Sequence, residues 1–580
     1  MTIRARIQVP VAWLDRAKYS LAGIADFCGV SVALEDSMPV VAPGQLVYAP
    51  PESMSFSPEE AEEGFLLRIP FLEGEADPYL RQDESDIRAC FWEGDRAHLS
   101  VRSRAIPLRH GSPLARWSDG GDPAIVLYQS GGLTVVDFSF DPISSFFGAI
   151  AQVDEHSIRE RDTHNRPPQR LTFPISAGVA LAPIATDSAL LVQKAIGAAC
   201  TNANVFLLMK GPWPNEARFV ACITHDVDSV RKRILPRLIG RIRAPSIRNG
   251  RLLHRRGLKA VLQGLAEIAG VKDPHRNLDG IRTVELGHGI KATYFLQMSE
   301  RPGRQEPLAL YSFRDRYVRR EVAALNKEDH EIALHSSYES GADPTRLREE
   351  VRRLSRLSTP SGSRQHYLRI NRDLWAELRS LGLQYDSSVG YSDYVGFRSG
   401  ACHPYRPFND EAGGEFSVLE IPFSVMDSGL FQSCGGNRGQ MEALLNALSD
   451  IVAYRNGVLV SIWHNQYRDG SLLAEGSVFD CFIARLKQRG WGFWTLERVA
   501  RWWNARNAVE LVCHGADLWS VVSHEDIDHL SLRCYGGIAG EVDGAGKDGY
   551  AISPGDPYSV VTIRRLKASV PVTIHRRAVT

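Results

Sequence analysis

Between residues 215 and about 507, short apolar runs alternate with helical stretches, and this alternation constrains the chain more than any other feature. The runs at 219–224, 292–296, 332–335, 367–370, 419–422 and 458–463 read as buried strands. Helical stretches fall at 344–357, 374–380, 441–454 and 496–507. Asp343 and Pro344 supply a cap and a first-turn proline, Asn371 supplies a cap, and Gly382 and Gly457 are helix stops. Repeated strand-then-helix units imply parallel strands joined by right-handed crossovers. The fold class is therefore α/β, with either an open doubly wound sheet or a barrel.

The chain has 580 residues, too many for one ordinary core, so two or three domains are expected. Residues 1–214 carry apolar runs at 124–128 and 133–138 and a helix at 187–200 capped by Asp187 or Ser188. They read as an α/β or α+β accessory domain without a catalytic motif. Residues 508–580 hold short strands at 530–535, 550–552 and 559–564 between Gly-, Asp- and Pro-rich turns, which predicts a small β-rich domain. Sixty-eight basic residues balance 68 acidic ones, so no nucleic-acid partner is expected. No apolar stretch reaches the roughly 20 residues of a membrane span, and the charged N-terminus lacks the apolar region of a secretory signal. Nine scattered cysteines without a C-x-x-C fit a reducing compartment, so the expected location is the cytoplasm. One stretch breaks the balance. Residues 231–260 contain eleven Lys or Arg and no acid, which suits either a solvated insertion or a contact with an anionic membrane surface or a phosphate-bearing substrate. The second reading makes the protein peripheral at the membrane.

The chemistry-bearing residues stand at the ends of the apolar runs. The first run continues into His225-Asp226-Val227-Asp228, where two carboxylates two residues apart point to the same side of a strand. The third runs into His335-Ser336-Ser337-Tyr338-Glu339, and His335 and Glu339 would share a face if the chain turned helical there. The last runs into Trp463-His464-Asn465. A metal hydrolase needs three N or O ligands, a separate base for water and a separate acid for the leaving group. Asp228, His335 and one further ligand can serve as the first set, Asp226 as the base and His464 as the acid. Singly, each element is more often structural; the ordered set is what points to catalysis.

That set resembles the polysaccharide deacetylases, the NodB-type carbohydrate esterases. The resemblance rests on THDVD (224–228), KATYFL (291–296), EIALHSS (331–337), YDSS (385–388) and WHN (463–465), and covers about residues 215–505. SRQHYLR (363–369), DSSVGY (386–391) and GFRSGACHPY (396–405) are most similar to a bacterial branch with a separate N-terminal domain, and RDTHNRPPQ (161–169) resembles a signature of that domain. The resemblance implies a distorted (β/α) barrel of about seven strands and a divalent metal, zinc first. It also implies Asp226 as base, Asp228 and His335 as metal ligands, Arg364 as the holder of the base, and His464 as acid. Tyr338, Asp386 and Trp463, inside these motifs, are the expected substrate contacts. Glu339 stands where the family has its second histidine, so the third ligand is open between Glu339 and His366, with His366 favoured because imidazole is the commoner zinc ligand.

The expected activity is metal-dependent hydrolysis of an acetyl group from an N- or O-acetylated sugar of a polysaccharide or its precursor. Two rivals stand beside it: an inactive deacetylase-like module that binds a glycan or a protein partner, and a hydrolase of a non-sugar C–N bond on the same fold.

Overall fold

The computed structural model describes most of residues 2–577; the longer segments outside the description are 35–43, 54–63, 73–86, 231–274, 300–310 and 466–475. The basic stretch 231–260 therefore lies outside the described residues.

At the centre is a parallel sheet curled into a half-barrel. Its strands run in the order Leu419–Glu420, Tyr385–Asp386, Gly362–Gln365, Glu331–Ser336, Thr293–Gln297, Val220–Val227, Val458–Ile462 and Val425–Met426, with Gly492–Phe493 beside Val220–Val227. Strands covered on both faces have no solvent side to keep polar, which is why apolar runs predicted most of them. Every residue of Val220–Val227, Thr293–Gln297, Glu331–Ser336 and Val458–Ile462 is buried. The segment 419–426 serves both edges. Leu419 N and Ile421 N donate to Gln384 O and Asp386 O on one side, and Ser424 N donates to Val460 O on the other. Helices Pro344–Leu354, Leu374–Ser380, Arg438–Tyr454 and Leu496–Ala508 fall where predicted, within a few residues.

Three expectations need correction. The fourth strand is Gly362–Gln365, not 367–370. Arg364 faces the site and bonds Asp226, while Ser363 and Gln365 bond Asp386 and Ser336 on the other face, so no apolar run announces it. The run at 367–370 is instead a turn, with Tyr367 (φ 58°) and Leu368 (φ 54°) both left-handed. The helix placed at 187–200 is Ile184–Asn202; Asp187 lies in its first turn, buried, and does not cap it. The Asn371 cap is displaced, because Leu374–Ser380 begins after Asp373.

Among the described residues, the N-terminal region forms a mixed sheet of nine strands. Five of them (Thr2–Ile7, Ser31–Leu34, Gly44–Ala49, Phe65–Pro70 and Leu133–Phe138) pair in parallel and the rest antiparallel, and helices Val11–Cys28, Pro142–Ile150 and Ile184–Asn202 pack with it. Gly29 ends the first helix at φ 73°, where a Cβ would meet the Lys210 carbonyl oxygen at 2.3 Å; only glycine fits. The C-terminal region is β-rich, in two four-stranded antiparallel sheets, but it is no separate appendage. Leu207–Lys210 from the N-terminal region pairs with Ile527–Tyr535. One hydrophobic cluster joins Ile3, Phe138, Leu191 and Leu207 to Trp519, Leu532 and Ile574.

The segment 396–403 docks the half-barrel onto the N-terminal region. Phe397 N donates to Ala180 O, Thr186 N to Gly400 O, and Cys402 N to Thr186 Oγ1. Arg398 forks onto Glu155, with Nη2 2.6 Å from Oε2, and Arg455 forks onto Asp187. Among the described residues no helix is long and apolar enough to cross a membrane.

Candidate active site

Four strand ends bring their polar residues to one side of the half-barrel. The register pairs Val227 with Leu296 and Leu296 with Leu334, so Asp228 leaves the first strand at the height of His335 on the third. His335 Nε2 lies 3.2 Å from Asp228 Oδ1, and His366 Nε2 lies 3.8 Å from the same oxygen. Ligand atoms of Asp228, His335 and His366 all fall within 4.8 Å of one another. Two donors on a tetrahedral shell of zinc-type radius would sit about 3.3 Å apart, so this set of one carboxylate and two imidazoles fits such an ion. His335 Nδ1 is 3.0 Å from Arg364 O. A carbonyl only accepts, so Nδ1 carries a proton, and Nε2 is left to donate to Asp228 when the ring is charged or to present its lone pair to a cation when it is neutral. Gln297 Nε2 meets His366 Nδ1 at 3.3 Å, which leaves His366 Nε2 facing Asp228.

Asp226 is held apart from this trio by an arginine. Arg364 Nη1 donates to Asp226 Oδ1 at 2.7 Å and to Thr224 Oγ1 at 2.9 Å, and its other nitrogens reach Ser387 O and Oγ. The guanidinium is fully buried, 4.1 Å from the centre of the Phe295 ring. Burial pushes the Asp226 carboxyl up, but Arg364, with His335 and His464, outweighs it and holds the group below its usual range. Asp228 is lowered too: burial opposes, and the bond from His335 and the charges of His366 and His464 win.

His464 faces the same trio, its Nε2 4.0 Å from Asp228 Oδ2. Asp427, which sequence reasoning missed, accepts from both His464 Nδ1 and His464 N at 2.8 Å. Burial would lower the imidazole, but Asp427 foremost raises it to about 10. The available signal was Asp427's position directly after the short apolar strand Val425–Met426, the same placement as the aspartates of the first motif.

The other expected residues are placed differently. Glu339 turns away, its Oε2 2.7 Å from Arg346 Nη1, and is not in the cluster. Asp386 is fully buried and accepts from Ser363 Oγ at 2.6 Å, and Trp463 is buried against Phe479 with Nε1 donating to Ser461 Oγ. Neither offers a surface to a sugar, because each is spent on holding strands together. Tyr338 is also buried, packed at ring-contact distance with His164 and Tyr367. His225 points to the far side of its strand and pairs with Glu285 at 2.9 Å.

No family model matches the chain, and no curated protein does. Among solved structures, similar chains include one described as a polysaccharide deacetylase from Mycobacterium smegmatis, with 18% identity over 51% of this chain and 93% of that one, at a TM-score of 0.34. The Bc1960 peptidoglycan N-acetylglucosamine deacetylase matches at 17% identity over 50% and 90%, with a TM-score of 0.24. A GH57-type branching enzyme from Pyrococcus horikoshii matches at 9% identity over 48% and 69%, with a TM-score of 0.29. At such values these likenesses add nothing to what the site's own atoms display.

A cavity of about 610 Å³ lies between the N-terminal region and the half-barrel, lined by Arg166, Leu368, Arg369, Trp375, Arg398 and Phe408 among others. Asp226, Asp228, His335 and His464 are absent from its wall. Volume does not locate a hydrolytic site; ligand and proton-transfer groups do, and among the described residues Asp228, His335 and His366 form the one such ligand cluster.

Proposed function

We propose that the chain is a metal-dependent hydrolase that removes an acetyl group from an N- or O-acetylated sugar of a polysaccharide or its precursor. One observation carries this reading: a carboxylate–imidazole trio within 4.8 Å, attended by an arginine-held carboxylate and an aspartate-held imidazole. Asp228, His335 Nε2 and His366 Nε2 would hold the cation, with zinc the first candidate given N and O donors. Bound there, a divalent cation would supply Lewis-acid polarisation of an acyl carbonyl and of a water. Asp226, kept ionised and aimed by Arg364, would take the proton from the attacking water. His464, kept charged by Asp427, gives a proton to the departing amine or alcohol. An acid held low and an imidazole held high are what a base and an acid working together require. Acetate and a free amino sugar, or a free hydroxyl, are the products.

The sheet is read as a distorted seven-stave barrel, since the single segment 419–426 bonds to both of its edges. The basic stretch 231–260 would suit a substrate carried on an anionic or phosphate-bearing carrier.

The test is metal content of the purified protein, followed by acetate release from a panel of N- and O-acetylated sugars and small amides. Bound zinc with acetate release from sugars supports the proposal. A protein that takes up no divalent ion overturns it in favour of a glycan- or partner-binding module. Turnover of small amides alone moves it to non-sugar C–N bonds.

A further inference from the structure

We propose that the loop 161–166 of the N-terminal region is a positioning clamp for His366, so that the candidate metal site is completed by a segment outside the parallel sheet; this rests on the metal-site reading above. The motif that contains the loop, RDTHNRPPQ, has no part in the chemistry assigned so far. Its position accounts for it. Asp162 organises the loop, accepting from His164 N at 2.8 Å and from Arg166 N and Nε at 2.9 Å each. With its Nε so engaged, the Arg166 guanidinium reaches across to the half-barrel, where Nη1 donates to Tyr367 O.

Tyr367 is the residue next to His366, and it needs holding. Tyr367 (φ 58°, ψ 15°) and Leu368 (φ 54°) are consecutive left-handed residues, a conformation that L side chains, and bulky ones above all, rarely adopt. Such a turn persists only where its surroundings over-determine it. The surroundings here include two N-terminal side chains. Arg166 fixes the Tyr367 carbonyl, and the His164 ring stacks on the Tyr367 ring at 4.2 Å and 29°. Tyr367 in turn lies 4.3 Å from the His366 ring, tilted by 37°, so three rings lie in series up to the candidate ligand. Tyr338, just beyond the His335 strand, closes the side of the stack by meeting both His164 and Tyr367, and Arg369 lies 4.0 Å over its ring. Without the loop, the turn has lost the carbonyl contact and the outer ring, and less holds the His366 ring toward Asp228.

His164 and Arg166 are thus positioning residues. The test is titration of the full-length, metal-free protein with Zn²⁺ and with Co²⁺, with the visible bands of the cobalt form as a second readout. Arg166→Ala and His164→Ala should each bind both ions about 10- to 100-fold more weakly, the loss typical of removing a group that orients a ligand, with altered cobalt bands. His164→Phe keeps the stacked ring and should bind near wild-type affinity. Wild-type affinity and bands in both alanine variants overturn the clamp, and so does a His164→Phe variant as weak as His164→Ala. If Arg166→Ala does not fold, the two His164 variants decide alone. A wild-type protein that takes up neither ion overturns the metal-site reading itself, a result distinct from these.

Discussion

At the scale of single residues, two aspartates two positions apart carry different burdens. Asp226 is tied to a buried guanidinium and lies 3.9 Å from His335 Nε2, whereas Asp228 approaches His335 and His366 together. Asp226→Asn should therefore keep its cation and lose about 10²–10⁴-fold in turnover, the range for removing a general base. Asp228→Asn should lose the cation. Elemental analysis beside acetate release separates the two, and the reverse pattern would exchange their roles. The third ligand is open to the same treatment. His366→Ala should weaken zinc binding by more than 100-fold, beyond the cost of losing a group that only orients a ligand. Glu339→Ala should leave it nearly unchanged, because Glu339 is engaged by Arg346. Competition titration with a chelator measures both.

At the scale of elements, polar groups inside the curled sheet set a pH dependence. Glu331 opens the third strand, buried, accepting from Tyr385 Oη, Thr293 Oγ1 and Glu497 N. Burial raises its carboxyl to about 7 despite those three donors. The folded state therefore holds a proton that the unfolded chain releases near its ordinary value of about 4.3. Stability is highest below that value and is lost as pH rises through about 7, by up to about 3 kcal/mol. Glu331→Gln should flatten this slope, read from urea unfolding at pH 5 and pH 8. The same strand shows what the sequence makes legible. Glu331–Ser336 and Val220–Val227 announce themselves because their apolar residues lie on consecutive positions and end in His335, Asp226 and Asp228. Gly362–Gln365 does not, because its pairing is carried by backbone while Ser363 and Arg364 are occupied with Asp386 and Asp226. Nor does the turn after it, since Tyr-Leu-Arg-Ile has the composition of a strand and left-handed backbone at Tyr367 leaves no mark on residue type. Asp427 was hidden for a related reason, following a strand of only two residues.

At the scale of the whole molecule, the half-barrel is fastened to the N-terminal region by charge buried in low dielectric. Arg455, just past the end of Arg438–Tyr454, places both Nε and Nη2 on Asp187, with Nη2 2.9 Å from Oδ2 and both side chains almost wholly shielded from water. Arg455→Met would strand the Asp187 carboxylate and should cost about 3–5 kcal/mol, seen as a lowered first melting transition. The double variant Asp187→Leu with Arg455→Met should recover most of that loss, since an apolar pair carries no stranded charge. A double variant as unstable as the single one would assign the effect to packing instead.

The strand exchange between Leu207–Lys210 and Ile527–Tyr535 also sets an order of events during synthesis. A chain emerging residue by residue makes its first 210 residues long before the strand that pairs with their last one. About 320 residues, the entire parallel sheet among them, must leave the ribosome in the interval. The N-terminal region therefore waits, with Leu207 and its neighbours exposed, for a partner that arrives almost last. Contacts so distant in sequence form slowly, because a long loop must close before they return any stabilisation. Termination ahead of residue 527 would leave the half-barrel complete in sequence but joined to an N-terminal core that cannot close.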